Sequence, residues 1–212
     1  MQVKKYVVLI VLFILPIVAY LFFASGVNNF GKLPILTNGV NDVTDMEGNA
    51  TFKNKITVVG LLGNNPDKKN GNAFNLNQKI YKRFYQFKDF QFVMVMPKGT
   101  EVQATELKKE LGHLVDMQKW NFVFGDEKQV KDFFSSLKTD IQLENDLSTP
   151  YAFIIDKELN LRGRTKDGVE ATLYGFDATS VSELNNKMVD DVKIILAEYR
   201  LALKKNNADR QE

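Results

Sequence analysis

The residue types that carry redox, metal or acid–base chemistry are nearly absent from this sequence. It has no cysteine and one histidine, His113. Without a thiol the chain can neither form nor attack a disulfide, and it cannot build a thiolate copper centre. His113 follows Gly112 at the expected end of a helix, where the helix dipole favours a cation, and one histidine alone does not hold a metal. Met94 and Met96 bear thioethers that suit Cu(I), and strand alternation puts them on one face. Their strand is apolar throughout, which makes them core residues. Asp190 and Asp191 are adjacent on a helix, so they point about 100° apart and are expected to be solvated. No serine lies in a nucleophile-elbow pattern. Gly60, Gly63 and Gly71 lack the spacing and the lysine of a phosphate loop. No catalytic, metal-binding or cofactor-binding residue is assigned, and no cofactor is expected.

What remains is a surface. Residues 63–71 form a loop of Gly, Asn, Lys, Asp and Pro after a strongly apolar strand. Asn64, Asn65, Pro66 and Asp67, together with Thr149 and Pro150, are the candidate partner-binding residues. Their amides and backbone could hydrogen-bond an extended peptide. The competing reading is an ordinary solvated loop.

The elements that must position this surface alternate. Residues 56–62 are apolar and β-branched, as a strand buried on both faces should be. Leu76, Ile80, Phe84 and Phe87 then recur at helical spacing. A strand over 90–96 stops at Pro97. Thr100 and Gln103 predict a capping box before a helix ending at Gly112. A strand over 120–124 follows, then Asp126 and Gln129 as a second capping box for a helix with Val130, Phe133, Phe134 and Leu137 on its buried face. Residues 151–155 and 161–164 predict a hairpin. Ser180 and Glu183 cap a last helix whose Leu184, Met188, Val192, Ile195, Tyr199 and Leu203 make one stripe. The order β-α-β-α-β-α-β-β-α predicts an α/β thioredoxin-like three-layer sandwich over residues 44–203.

Ahead of this domain, residues 6–24 carry no charge and are long enough for a transmembrane helix, with Pro16 as a tolerated kink. Lys4 and Lys5 orient the short N-terminus to the cytoplasm, which puts the domain on the extracytoplasmic, periplasmic side of the inner membrane. A cleaved signal peptide is the alternative: its apolar region is usually about 7–15 residues, and Ala24, Ser25 and Gly26 are small enough for a peptidase. The expected organisation is a cytoplasmic tip and signal-anchor at 1–25, a tether at 26–43, the domain at 44–203 and a polar tail at 204–212. Lys4 and Lys5 account for two of the 28 basic residues, while all 26 acids follow Lys32, so the outer part is neutral. That balance gives no reason to expect nucleic acid as a partner.

Several stretches resemble the Sco/SenC family, the membrane-tethered thioredoxin-fold proteins that help deliver copper to cytochrome c oxidase. They are residues 44–49 with Lys53, Asn54 and Lys55 leading into the 56–62 strand, residues 120–125, and the strand-turn 151–160 leading to Arg162 and Gly163. The resemblance covers about residues 44–164. It implies copper held by a Cys-x-x-x-Cys in the loop after the first core strand and by a histidine just before the later strand. Here residues 63–71 hold no cysteine and residues 146–150 hold no histidine, so every implied ligand is missing. Thr149-Pro150 is similar to the Thr-Pro that thioredoxins keep beside their redox pair, usually cis. A trans proline opening a strand is equally open.

The expected function is therefore a membrane-anchored, non-enzymatic binding or assembly factor with a protein partner, beside a respiratory oxidase. The alternatives are an enzyme using carboxylates in the same pocket, and a structural envelope protein.

Overall fold

The computed structural model describes residues 2–24, 31–165 and 171–208, and it describes side chains for 5–6, 8–21, 31–67, 70–165 and 171–202. Residues 25–30 of the expected tether, Leu203 of the last stripe and the side chains of the 204–212 tail fall outside these. The chain separates into two units, 1–31 and 32–212.

The first unit is helix α1, Gln2–Ala24, with Pro16 inside it. Its large apolar side chains are exposed, from 47% at Leu9 to 71% at Tyr20. Among the described residues no helix is long and apolar enough to cross a membrane.

The second unit is built around β2, Ile56–Leu62, whose seven residues are all buried. It pairs in parallel with β3 (Phe90–Pro97), which pairs in parallel with β4 (Trp120–Gly125). On its other side β2 pairs antiparallel with β5 (Ser148–Ile155). The expected hairpin joins β5 to β6 (Leu161–Arg162). Two short strands extend the sheet beyond the expected order: β1 (Ile35–Thr37) pairs with β6, and β7 (Phe176–Asp177) pairs with the start of β5. The sheet order is β1-β6-β5-β2-β3-β4.

Alternation along the strands divides the apolar residues into two layers. Ile56, Val58 and Leu62 of β2, with Phe90, Phe92, Met94 and Met96 of β3, face one core. This core is closed by the helix over residues 70–84 (α2), by α3 (Glu101–Gly112) and by the last helix over 181–208 (α5). Val59, Leu61, Val93 and Val95 face the other core, closed by α4 (Glu127–Ser136) and by Val40, Val43, Met46 and Phe52. The three-layer sandwich is therefore present, and Met94 and Met96 are fully buried within it.

Local details differ from the sequence reading. Residues 32–43 are part of the domain: Leu33, Val40 and Val43 are buried, and Thr37 Oγ1 donates to Leu137 O at 2.7 Å, so the tether stops before them. The capping box at Asp126–Gln129 forms in both directions. The one at Thr100 does not, because Thr100 Oγ1 turns back to donate to Pro97 O at 2.7 Å. Ser180 accepts from Glu183 N–H, but Glu183 accepts from Asp177 N–H rather than from the cap. Helices α2 and α5 each contain a wider π-turn, Asn77–Tyr81 and Leu184–Met188, and α2 ends at Phe84, so Phe87 lies outside it and is 42% exposed.

Asp191 is not solvated. It is 1% exposed, and Arg164 holds it through Nε at 2.9 Å and Nη2 at 2.7 Å. Burial pushes its carboxyl up from the ordinary range, and the guanidinium opposes that shift. Asp190 pairs on the surface with Lys193.

Two expectations follow. Ile195 is fully buried and Leu201 only partly. Ile195→Ala should cost about 2–5 kcal/mol and lower the melting temperature, and Leu201→Ala should change it little. An unchanged melt for Ile195→Ala would mean that α5 does not close the core. Arg164→Met should cost about 3 kcal/mol in a urea titration because it strands a buried carboxylate, and adding Asp191→Leu should restore much of the loss.

Candidate functional site

The two segments expected to form a contact surface meet at one end of the central strand pair. Leu62, the last residue of β2, pairs with Ser148, the first of β5. Gly63 then turns with φ +72°. A Cβ there would lie 2.5 Å from Asp146 O and 2.7 Å from Ser148 Cβ, so only glycine lets the loop close against β5. The next amide, Asn64 N–H, donates to Asp146 O at 2.7 Å. Pro66 starts a 3₁₀ turn, Pro66–Lys69, where its fixed φ fits and its missing N–H costs nothing.

Of the six candidates, Asn64, Asn65 and Asp67 are exposed, Pro66 and Thr149 are buried, and Pro150 is half-buried. Thr149 Oγ1 accepts from Tyr151 N–H at 3.3 Å, and Pro150 O accepts from Ala178 N–H at 2.9 Å, so this pair braces the strand. Among the described residues every peptide bond is trans, including Thr149–Pro150. The exposed candidates thus all lie within residues 64–67.

Sequence reasoning missed the segment that completes this edge. Leu143, Glu144, Asn145 and Asp146 line an open hollow of about 450 Å³. Ser148 Oγ donates to Asp146 Oδ1 at 2.6 Å and lies 3.3 Å from Glu144 Oε2. The backbone closes the same turn: Leu147 N–H donates to Glu144 O, and Glu144 N–H to Ser148 O. The Asp-x-Ser spacing of an Asx turn was the available signal. The result is an edge of side-chain amides and carboxylates: Asn64, Asn65, Asp67, Glu144, Asn145 and Asp146.

These donors do not fit the copper centre that the sequence resemblance implies. The 146–150 segment offers carboxylate and hydroxyl oxygens, which match Cu(I) poorly, and Leu147 is apolar and buried. His113 caps the C-terminal end of α3 on the surface. Among the described residues no group of three or more His, Cys, Asp or Glu could hold a metal ion.

No family model matches the chain, and no curated protein matches it in sequence. Solved structures do match in fold. BsSco, described as a member of the Sco family of cytochrome c oxidase assembly proteins, is 11% identical, with 78% of this chain and 97% of that one covered and a TM-score of 0.52. A candidate protein disulfide isomerase from Bacteroides thetaiotaomicron is also 11% identical, with 79% and 95% covered and a TM-score of 0.52. A SCO1/SenC family lipoprotein from Bacillus anthracis is 13% identical, with 80% and 99% covered and a TM-score of 0.46. The first two likenesses establish the thioredoxin-like α/β fold, here in a chain without cysteine.

The turn at Gly63 gives a direct test of the edge. Gly63→Ala should destabilise the domain by about 1–3 kcal/mol, through strain at positive φ and the clash with Asp146 O. It should also increase amide exchange at Asn64. Wild-type exchange there in the variant would show that the loop is not held by β5.

Proposed function

We propose that this chain is a membrane-anchored, Sco-like binding or assembly factor. It holds a protein partner on the 63–67 and 144–146 edge without thiol redox or copper–thiolate chemistry. The observation that carries this reading is the pinning of Gly63–Asn64 to Asp146. It fixes an exposed amide- and carboxylate-rich edge at the end of β2 while the chain offers no thiol. Such an edge suits a peptide segment rich in N–H donors and cations. The assembly role of the Sco family, applied here, suggests a respiratory oxidase as the partner's setting. An N-terminal anchor, with the domain on the extracytoplasmic side, rests on the uncharged run at 6–24 behind Lys4 and Lys5.

One observation favours a hydrolytic alternative: Glu144 and Asp146 converge on Ser148 Oγ. Ser148 is fully buried, however, and its hydroxyl proton is given to Asp146 within the turn. A nucleophile needs access to substrate and a base within reach. This serine is a brace.

The test is a photo-crosslinking residue at Asn64 in membranes of the native host. A discrete protein adduct that is lost with Asp67→Lys is expected. No adduct, or one indifferent to Asp67→Lys, would sink the proposal. Insulin reduction and thiol oxidation should be absent, and copper should not bind at one equivalent. Stoichiometric, tight copper binding would show that methionine or His113 had been recruited and would overturn the ligand argument.

A further inference from the structure

The opposite end of the central strand pair carries a different kind of site. Ile56 opens β2 about 20 Å from Leu62, at the usual rise of a strand. Beside it lies a cavity of about 370 Å³ between the turn after α2 and the end of α5. That volume is within the range of about 300–1,000 Å³ typical of small-molecule pockets. Its walls are apolar: Ile56, Phe87, Leu196 and the Tyr199 ring. Phe87 shows 42% of its surface, and its carbonyl is held by Lys119 Nζ, so an exposed aromatic ring sits on an anchored backbone.

The charges around the cavity are unbalanced. Lys88, Lys157 and Arg200 line it against one carboxylate, Asp89. Asp89 is already used: Lys157 Nζ binds its Oδ2 at 2.6 Å, and this bond holds the carboxyl below the ordinary range. Lys157 is also fixed from the other side, 5.3 Å from the centre of the Tyr199 ring, and the Tyr199 hydroxyl donates to Glu158. Lys88 and Arg200 are exposed and have no ion-pair partner among the described residues. The cavity therefore combines a pre-formed apolar floor with two rim cations, Lys88 and Arg200, that form no ion pair among the described residues.

We infer that this cavity binds a small amphipathic organic anion, a carboxylate with an apolar or aromatic body. The body would lie against Phe87, Leu196 and Tyr199, and the carboxylate would face Lys88 and Arg200. Positive rim charges over a low-dielectric wall raise the local concentration of such anions. The inference stands apart from the proposed partner edge, which lies at the other end of β2.

The test uses the full chain and fluorine NMR of 4-(4-fluorophenyl)butyrate, with a detergent-only blank. The expected result is saturable binding, with the neutral amide of the same acid binding about fivefold more weakly. The double variant Lys88→Glu/Arg200→Glu should lose about tenfold in affinity with an unchanged melting temperature, because both side chains are exposed. Competition then separates the sources of the anion. Displacement by phosphatidylcholine vesicles containing oleate and not by phosphatidylcholine vesicles alone would assign it to a membrane-borne fatty carboxylate. Displacement by neither would assign it to a free carboxylate. Equal binding of acid and amide, an unaffected double variant, or equal displacement by both vesicles would overturn the inference.

Discussion

Every residue of β2 is buried, and both of its edges are hydrogen-bonded, to β3 on one side and β5 on the other. A strand in that position must be apolar on two faces and must have a complete layer over each. The two cores are the consequence, and so is the chemistry of the few exceptions. Thr57 is fully buried, and its hydroxyl accepts from Gln91 Nε2 at 2.9 Å. Gly60 leaves room for Met94, whose sulfur lies 2.8 Å from where a Cβ would be. Both faces and both edges of β2 are closed, and its two ends lead to different surroundings. The amide-rich edge lies at one and the cationic cavity at the other.

Buried charge ties the peripheral elements to this centre. Arg162 is 3% exposed. Its Nε donates to Leu33 O at 2.8 Å, Nη1 to Asp156 at 2.9 Å and Nη2 to Glu198 at 2.6 Å. One guanidinium thus joins the start of the domain, the β5–β6 turn and α5. Asp156 also accepts from Glu158 N–H and Asn160 N–H, which shapes that turn. Such a network adds little net stability, since desolvation offsets most of the attraction. It specifies the arrangement instead, because displacing any of the three elements would leave a charge or a carbonyl unpaired in the interior. Arg164 and Asp191 repeat the device one strand-step away and fix α5 a second time.

Elements with long apolar patterns were legible in the sequence; those decided by a few tertiary contacts were not. The runs at 56–62 and 90–96 could only be interior strands, and Asp126 with Gln129 marked a helix start that forms as expected. Strand β1 was hidden because three residues in an edge strand carry one buried side chain, Thr37, and no visible period. Asp191 looked like a surface acid because the pairing arginine lies 27 residues earlier and meets it only after folding. Thr100 had the spacing of a cap, yet its hydroxyl found the nearer Pro97 carbonyl. Near the end of β2, composition singled out residues 63–71 as a loop, of which Pro66–Lys69 is a 3₁₀ turn. The 143–146 segment was missed because only the pairing of Leu62 with Ser148 brings it alongside.

The backbone at that junction adds an argument independent of composition. Leu147 holds φ at +65° while 95% of its surface is buried. A left-handed leucine costs on the order of 1–3 kcal/mol and persists only where its surroundings over-determine it. They do so here: Asn64 N–H and Leu147 N–H bond the flanking carbonyls Asp146 O and Glu144 O, and Ser148 is held twice by Asp146. Leu159 is left-handed in a turn of the same build: Leu147 N–H donates to Glu144 O and Glu144 N–H to Ser148 O, just as Leu159 N–H donates to Asp156 O and Asp156 N–H to Asn160 O. The fold thus reverses the chain at both ends of β5 with one motif, and at the first of them the reversal brings Asp146 O to the Asn64 amide that follows Gly63.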